Sequence, residues 1–262
     1  MTGSTGLHHV RRGGGEPLLL VHPLGSELVV WEPVLDLLAS DRDVIAVDMP
    51  GFGASPPLPA GAEPTPSALA GALGRFLDGL GIERAHVAGN SLGGWVALEL
   101  ARAGRALSVT GVCPAGFWSR PLGPRPSPAR RVGPPLLPLL PALVQSVRGR
   151  RLLLGASVAH PERVPPAAAV RLVRAYVTAP AFEDANAAMR ATVFSGIEAI
   201  DVPVTVAWAE LDRLVAEPRG GVPGARRVVL RGCGHIPTWD DPAQVARMLL
   251  DASATPARTS AA

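Results

Sequence analysis

The feature that most restricts the fold of this chain is the pentapeptide GNSLG at residues 89–93, which lies between an apolar run and a helix-like segment. This order fits a strand, a sharp turn and a helix. In such a turn, a side chain at Gly89 or Gly93 would collide with the neighbouring strand or helix. The turn lifts the Ser91 hydroxyl clear of a sheet, and the helix N-terminus behind it favours developing negative charge. The pentapeptide therefore marks Ser91 as a candidate nucleophile.

Short apolar runs alternate with helix-like segments through the first 112 residues. Runs of this kind are typical of parallel strands that are buried on both faces. The predicted strands are 18–21, 44–47, 86–88 and 107–112, and the predicted helices are 31–39, 67–80 and 92–103. Ser67 is placed to cap the second helix and Gly81 to end it. The alternation predicts an α/β fold with a mostly parallel sheet flanked by helices.

The alternation stops between about residues 117 and 194, where no strand pattern is seen. Residues 121–141 are dense in proline, and the stretch 134–144 cannot be one continuous helix because proline lacks an amide donor. Helix-like segments follow at 144–154, 166–178 and 181–193, strand-like runs return at 204–208 and 227–230, and a last helix covers 242–251. We therefore expect a core of residues 1–116 and 195–252, a helical cap of residues 117–194 and a disordered tail at 253–262.

A serine nucleophile needs a base, and the base needs an acid that orients it. His235 follows the predicted strand 227–230, and Asp212 follows the predicted strand 204–208. The carboxyl ends of parallel strands meet at one edge of a sheet, which would bring both side chains near Ser91. Asp201 and Glu210 are rival acids. The chain order of serine, aspartate and histidine favours Ser91, Asp212 and His235 as a catalytic triad.

A tetrahedral oxyanion is usually stabilised by two backbone amides. The amide of Leu92, directly after the serine, is one expected donor. The second is expected from the loop after the strand 18–21, where Pro23 has no N–H and Leu24 is the next residue. His22 is expected to bond backbone groups and to shape this loop rather than to act as a base.

Five motifs in this order resemble the α/β-hydrolase fold family, over most of the chain. They are HPLG at 22–25, DMPGFGAS at 48–55, GNSLG at 89–93, Asp212, and GH at 234–235. The resemblance implies a helical cap inserted after the sixth strand, a structural role for Asp48, and no metal or organic cofactor. Pro23 stands where the family usually has glycine.

The resemblance implies a serine hydrolase that acts on a small, largely apolar carboxylic ester or related acyl substrate through an acyl-enzyme. Epoxide hydrolases and haloalkane dehalogenases of this family attack with aspartate, so Ser91 disfavours both. Hydrolases that cleave carbon–carbon bonds of ring-cleavage products often carry asparagine before the serine, as Asn90 does, but usually tryptophan where Ile236 stands. Lactonases and cofactor-free haloperoxidases share the triad. A ligand receptor on the same fold is the non-enzymatic alternative.

The cap is expected to set specificity, because it would cover the sheet edge from which Ser91 emerges. Asn90, Phe117 and Trp118 are candidate pocket residues, although core packing explains the two aromatic side chains equally well. The cap arginines would either attract an anionic substrate or form a solvated face. They are Arg130, Arg131, Arg148, Arg150 and Arg151.

Composition narrows the function further. All 25 basic residues are arginine, which excludes Schiff-base lysine enzymes, Walker phosphate loops and protein kinases. Cys113 and Cys233 are too few for a four-cysteine zinc site, an iron–sulfur cluster or a disulfide framework. The scattered arginines and the net charge of +3 give no nucleic-acid-binding patch.

Without a membrane-spanning segment or a signal-peptide pattern, we expect a cytoplasmic protein with reduced thiols and a small-molecule substrate. Nothing in the sequence indicates an oligomeric state.

Overall fold

The computed structural model describes residues 6–123 and 127–254. Within these ranges the strands are β1 (His9–Gly13), β2 (Pro17–Val21), β3 (Asp43–Val47), β4 (Ala85–Asn90), β5 (Ala106–Val112), β6 (Val204–Ala209) and β7 (Arg226–Leu230). They form one sheet in the order β1-β3-β2-β4-β5-β6-β7. β1 runs antiparallel to β3, and the other neighbouring pairs are parallel. The prediction of a mostly parallel sheet is confirmed.

The described α-helices are α1 (Glu32–Ala39), α2 (Pro66–Gly79), α3 (Leu92–Arg102), α4 (Pro128–Val132), α5 (Leu140–Leu143), α6 (Val147–Leu154), α7 (Pro166–Thr178), α8 (Phe182–Arg190) and α9 (Pro242–Ala252). Short 3₁₀ helices cover Leu28–Trp31, Pro134–Leu139, Pro161–Arg163, Ile197–Ala199 and Pro237–Trp239. Among the described residues, no helix combines the length and apolar character needed to cross a bilayer.

Different helices cover the two faces of the sheet, and this explains the apolar runs in the sequence. Successive side chains of a strand point to opposite faces. Leu18 and Leu20 of β2 pack on the side of α1 and α9, whereas Leu19 and Val21 pack on the side of α2 and α3. All four side chains are at most 1% exposed. A strand that is buried on both faces has no position for a polar residue.

The start of α2 corrects one prediction. The cap is Thr65, whose Oγ1 accepts a hydrogen bond from the Ala68 amide at 3.1 Å, and not Ser67. Pro66 then occupies the first helical position, where a missing N–H costs nothing. The predicted helix 166–178 coincides with α7, and the proline-rich stretch is broken into a 3₁₀ helix and α5, as its prolines require.

The helices α4–α8 lie between β5 and β6, so the insertion follows the fifth described strand and not the sixth. The resemblance implied six strands before the insertion, and the described residues hold five. β1 itself was not predicted, because it lies at the edge of the sheet with Arg11 and Arg12 exposed, and an edge strand need not be apolar. Of the predicted tail, Ser253 is buried at the end of α9, and residues 255–262 lie outside the described ranges.

Candidate active site

Ser91 occupies a strained turn between β4 and α3. Its backbone has φ 57° and ψ −117°, which an L-residue adopts only when its surroundings enforce it. Its amide donates to the Val112 carbonyl at 2.9 Å. A Cβ at Gly89 would lie 2.0 Å from the Gly93 carbonyl oxygen, and one at Gly93 would lie 2.3 Å from that of Val21. Both contacts are with backbone, so only glycine fits at either position.

His235 and Asp212 form a buried hydrogen-bonded pair at the same sheet edge. The two atoms His235 Nδ1 and Asp212 Oδ2 are 2.7 Å apart, and the side chains are 6% and 4% exposed. The rival acids lie elsewhere, since Glu210 accepts from the Gly232 amide and Asp201 is exposed. The structure therefore pairs His235 with the acid that chain order favoured.

The electrostatics of the pair favour an ionised acid. Burial by itself would raise the pKa of Asp212, but the hydrogen bond and charge of His235 outweigh it. The amides of Leu214 and Val215 also donate to Asp212 Oδ1, at 2.7 and 3.0 Å. Together these contacts hold the pKa of Asp212 below its usual range, so that the carboxylate stays charged at neutral pH.

Cys113 also lies beside Asp212 and His235, a position that the sequence did not predict. It follows β5, between the strands that carry Ser91 and Asp212, and its Sγ accepts from the Ala209 amide at 3.3 Å. Burial, followed by the charge of Asp212, raises the pKa of the Cys113 thiol well above its usual range. Cys113 and Cys233 are both free and buried, as expected. The position of Cys113 at the end of a central strand was the available signal.

Cys113, Asp212 and His235 also place one potential metal-ligand atom each within 4.8 Å of the others. A metal there would need the Cys113 thiolate, which the raised pKa disfavours. It would also compete for the atoms that join His235 to Asp212. The donor set fits the hydrogen-bonded pair better than an ion.

Asn90 was predicted as a pocket residue, but it does not line the cavity that Ser91 lines. Its side-chain amide donates to the carbonyls of Val112 and His235, each at 3.0 Å. Asn90 thus ties the loop that carries His235 to the central strands from behind the serine. Phe117 and Trp118 do line the cavity.

His22 shapes the loop that contains Leu24. Its Nε2 accepts from the Met49 amide at 2.9 Å, so Nδ1 carries the proton and donates to the Pro23 carbonyl at 2.8 Å. Burial lowers the pKa of His22, which keeps the ring neutral. Leu24 lines the cavity beside Ser91, whereas Leu92 is buried at the first position of α3.

Asp48 holds the loops beside this region, as the resemblance implied. Its carboxylate accepts from His8 Nδ1 at 2.7 Å and from the amides of Leu28 and Ala54 at 2.7 and 3.0 Å. Its carbonyl accepts from the Ser55 hydroxyl at 2.7 Å. The segment 48–55 is thereby fixed as a compact turn.

The cavity at this edge has a volume of about 1250 Å³. Ser91 and His235 lie on its wall, and helices α4, α6, α7 and α8 supply much of the remainder. The apolar lining includes Ala129, Leu154, Leu172, Phe182 and Met189. Ligand sites are usually pockets of roughly 300–1,000 Å³, so this one has room for a large apolar group.

Asp240 joins the histidine loop to the segment after α6. Its Oδ2 accepts from the amides of Gly234 at 2.7 Å and Ala159 at 3.1 Å, and its Oδ1 accepts from the His160 amide at 2.7 Å. Asp240 is 2% exposed. The residue before His235 is therefore held by a carboxylate that also binds the cap segment.

We expect Asp240→Asn to lower the free energy of unfolding by about 2–3 kcal/mol, because the asparagine NH₂ would face an amide donor. The inactivation rate at Ser91 by a fluorophosphonate should fall as well, since the loop of His235 loses one anchor. Urea unfolding and labelling kinetics measure the two effects.

Asp241→Asn is the matched control for Asp240→Asn. Asp241 caps α9 by accepting from the Gln244 amide at 2.9 Å, and asparagine is an equally good cap. Its stability should change by less than about 0.5 kcal/mol. Equal effects of the two substitutions would contradict the role given to Asp240.

Comparison with known proteins identifies the family of this chain. A family model described as the alpha/beta hydrolase family matches residues 18–248. The chain is 34% identical over 197 residues to the epoxide hydrolase EphH of Mycobacterium tuberculosis, a match that covers 69% of this chain and 91% of that protein. It is 46% identical over 114 residues to the dihydrolipoyllysine-residue acetyltransferase component of the acetoin cleaving system of Cupriavidus necator. That match covers 42% of this chain but only 30% of the relative's length.

A solved structure of a membrane phospholipase A, described as a bacterial virulence factor, superposes with a TM-score of 0.69 at 25% identity. The superposition covers 94% of this chain and 82% of that one. Together with the strained serine turn and the family match over residues 18–248, it establishes that this chain belongs to the α/β-hydrolase family.

Proposed function

We propose that this chain is a serine hydrolase that cleaves a largely apolar carboxylic ester through an acyl-enzyme intermediate. The observation that carries the proposal is the 2.7 Å hydrogen bond between His235 and Asp212, on the wall of a cavity that also contains Ser91. With Nδ1 bonded to Asp212, the other ring nitrogen of His235 takes the Ser91 proton as the hydroxyl attacks the ester carbonyl. The protonated His235 then donates to the leaving alcohol, and water repeats the cycle on the acyl-enzyme.

The charge that develops on the carbonyl oxygen needs fixed donors. We assign this role to the backbone amides of Leu24 and Leu92. Leu92 is the first residue of α3, so its amide points from a helix N-terminus, where negative charge is favoured. The bonds of His22 to Pro23 and Met49 support the conformation of the loop that presents Leu24.

The substrate class follows from the cavity. A volume of about 1250 Å³ with a mainly apolar lining suits an ester with an extended acyl or alcohol group. We propose that residues 117–194 act as the cap that selects this group, over a core of residues 1–116 and 195–252. Phe117 and Trp118 are the proposed pocket aromatics nearest the end of β5.

The relative named as an epoxide hydrolase raises a second chemistry, which Ser91 does not suit. Opening an epoxide with a serine oxygen would leave an ether on the enzyme. An ether has no carbonyl for water to attack, so the enzyme would stop after one event. An ester or lactone instead gives an acyl-serine that water can hydrolyse.

Cleavage of a carbon–carbon bond next to a ketone is the second candidate function, favoured by Asn90 directly before Ser91. The same triad could attack the ketone carbonyl and release a stabilised carbanion as the leaving group. The position after His235 is Ile236, which lines the cavity and adds no polar group to hold such a leaving group.

A substrate panel tests the proposal: p-nitrophenyl acetate, butyrate and octanoate, a lactone, a vinylogous diketone and an epoxide. We expect multiple turnovers on esters, with kcat/KM rising from acetate to octanoate, and none on the epoxide. Turnover confined to the diketone would favour the second function. Stoichiometric binding without any turnover by folded protein would reject the hydrolase assignment.

A further inference from the structure

The segment from α4 to α6 carries apolar side chains that point outward. We call this set the cap outer face; it consists of Val132, Leu136, Leu139, Leu143, Val147 and Leu152. Leu152 is 84% exposed and Leu139 58%. Single exposed apolar residues are common, but six within residues 132–152 are a concentration of the kind that marks interaction surfaces.

Exposed and buried apolar side chains both occur along this segment. Leu136 and Leu139 lie three residues apart in the 3₁₀ helix Pro134–Leu139, a spacing that places them on one side of it, and Leu143 ends α5 directly after it. Leu140 and Val144 are at most 3% exposed, because they pack inward. The segment therefore has some apolar side chains in the core and others that stay at least 40% exposed among the described residues.

The segment that carries the cap outer face is itself positively charged. Arg131, Arg148 and Arg151 are exposed on it. The sequence contains no aspartate or glutamate between Leu100 and Pro161. Its acidic partners come from later segments of the chain: Glu162 lies 3.5 Å from Arg151, and Glu183 lies 3.2 Å from Arg130 of α4. The face thus combines exposed leucines with positive charge.

We propose that the cap outer face docks on an anionic phospholipid surface. Helical segments with leucines on one side and arginines beside them insert the leucines at the boundary between headgroups and acyl chains, while the arginines attract the anionic headgroups. A second copy of this chain is a poorer occupant, because pairing two such faces would bring Arg131, Arg148 and Arg151 together with their counterparts.

The segment that carries the cap outer face also contributes to the wall of the cavity. Leu153, next to Leu152, lines the cavity, as do Pro128 and Ala129 at the start of α4. Docking would therefore place the cavity wall against the lipid, where apolar esters concentrate. This inference goes beyond the proposed function, since docking needs neither Ser91 nor turnover.

The test is co-sedimentation of the full chain with sucrose-loaded vesicles, using Ser91→Ala protein so that hydrolysis cannot alter the lipid. We expect binding to vesicles of phosphatidylglycerol and phosphatidylcholine, weak binding to phosphatidylcholine alone, and a loss of binding as the salt concentration rises. A fluorophosphonate assay on wild-type protein tests the hydrolase independently, so either idea can fail alone.

Two pairs of variants separate specific docking from net charge and from general hydrophobicity. The triple variant Arg131→Gln, Arg148→Gln, Arg151→Gln should bind anionic vesicles about 100-fold more weakly, at about fivefold per arginine. Its control replaces three exposed arginines outside residues 117–194 with glutamine, and so has the same net charge as the triple variant. They are Arg75, Arg231 and Arg247.

Leu139→Ser should weaken vesicle binding about tenfold, whereas Leu37→Ser, at a leucine of α1 that is 45% exposed, should leave it unchanged. Failure of the wild-type surface to bind anionic vesicles would overturn the proposal. So would equal losses in the cap and core variants. A dimer in light scattering that Leu139→Ser dissociates, with no vesicle binding, would instead assign the face to self-association.

Discussion

Replacing Ser91 with alanine should lower kcat by at least about three orders of magnitude and abolish labelling by a fluorophosphonate. The reason is the geometry of the turn between β4 and α3. Ser91, at φ 57°, lines the cavity, and alanine there removes the oxygen that we propose forms the acyl-enzyme. Intact mass spectrometry of the labelled protein and initial rates on an ester that the wild type turns over measure both effects.

Ser119→Ala is the matched control for Ser91→Ala. Ser119 also lines the cavity, but its backbone does not have the strained positive φ of Ser91. It should keep both labelling and turnover. Retention of near-normal turnover by Ser91→Ala, or transfer of the label to another serine, would show that the nucleophile has been assigned wrongly. Circular dichroism of each variant establishes that the fold is intact.

Asp212→Asn should lower kcat/KM by about three to four orders of magnitude while leaving the fold in place. The carboxylate Oδ2 accepts a hydrogen bond from His235 Nδ1, with 2.7 Å between the two atoms, which leaves Nε2 as the ring nitrogen free to take the Ser91 proton. An asparagine NH₂ at that position favours the opposite tautomer and cannot stabilise the charged imidazolium. Because the pKa of Asp212 lies below its usual range, its carboxylate remains ionised until the pH falls through that lowered value.

Glu210→Gln separates the effect of Asp212 from the loss of any nearby carboxylate. Glu210 lies two residues away, and its Oε2 accepts from the Gly232 amide at 2.8 Å, a bond that glutamine can also accept. Its activity should stay within about threefold of wild type. A larger loss in Glu210→Gln than in Asp212→Asn would exchange the roles of the two acids.

Local sequence was sufficient for the elements whose pattern is imposed by burial. The strands β2, β3 and β4 are apolar because both faces are covered, and α7 is amphipathic because one side meets the core, so each was predicted close to its observed position. β1 was not predicted, because an edge strand is not required to be apolar. The Thr65 cap was missed because Ser67 lies two residues further on and has the same capping chemistry.

The sequence alone determined which residue is the candidate nucleophile, since glycine at 89 and 93 is demanded by backbone contacts within one turn and its neighbours. Chain order and strand ends then selected Asp212 and His235. Only the tertiary structure decided that Cys113 lies beside them, that Asn90 turns away from the cavity, and that Asp240 ties the histidine loop to the cap.

The outward leucines of the cap belong to the same class of feature. In sequence, Leu139 and Leu140 are indistinguishable, yet one is exposed and the other buried. The physical reason is that periodicity specifies a residue's position around its own helix, whereas contacts between segments far apart in the chain depend on how those segments pack.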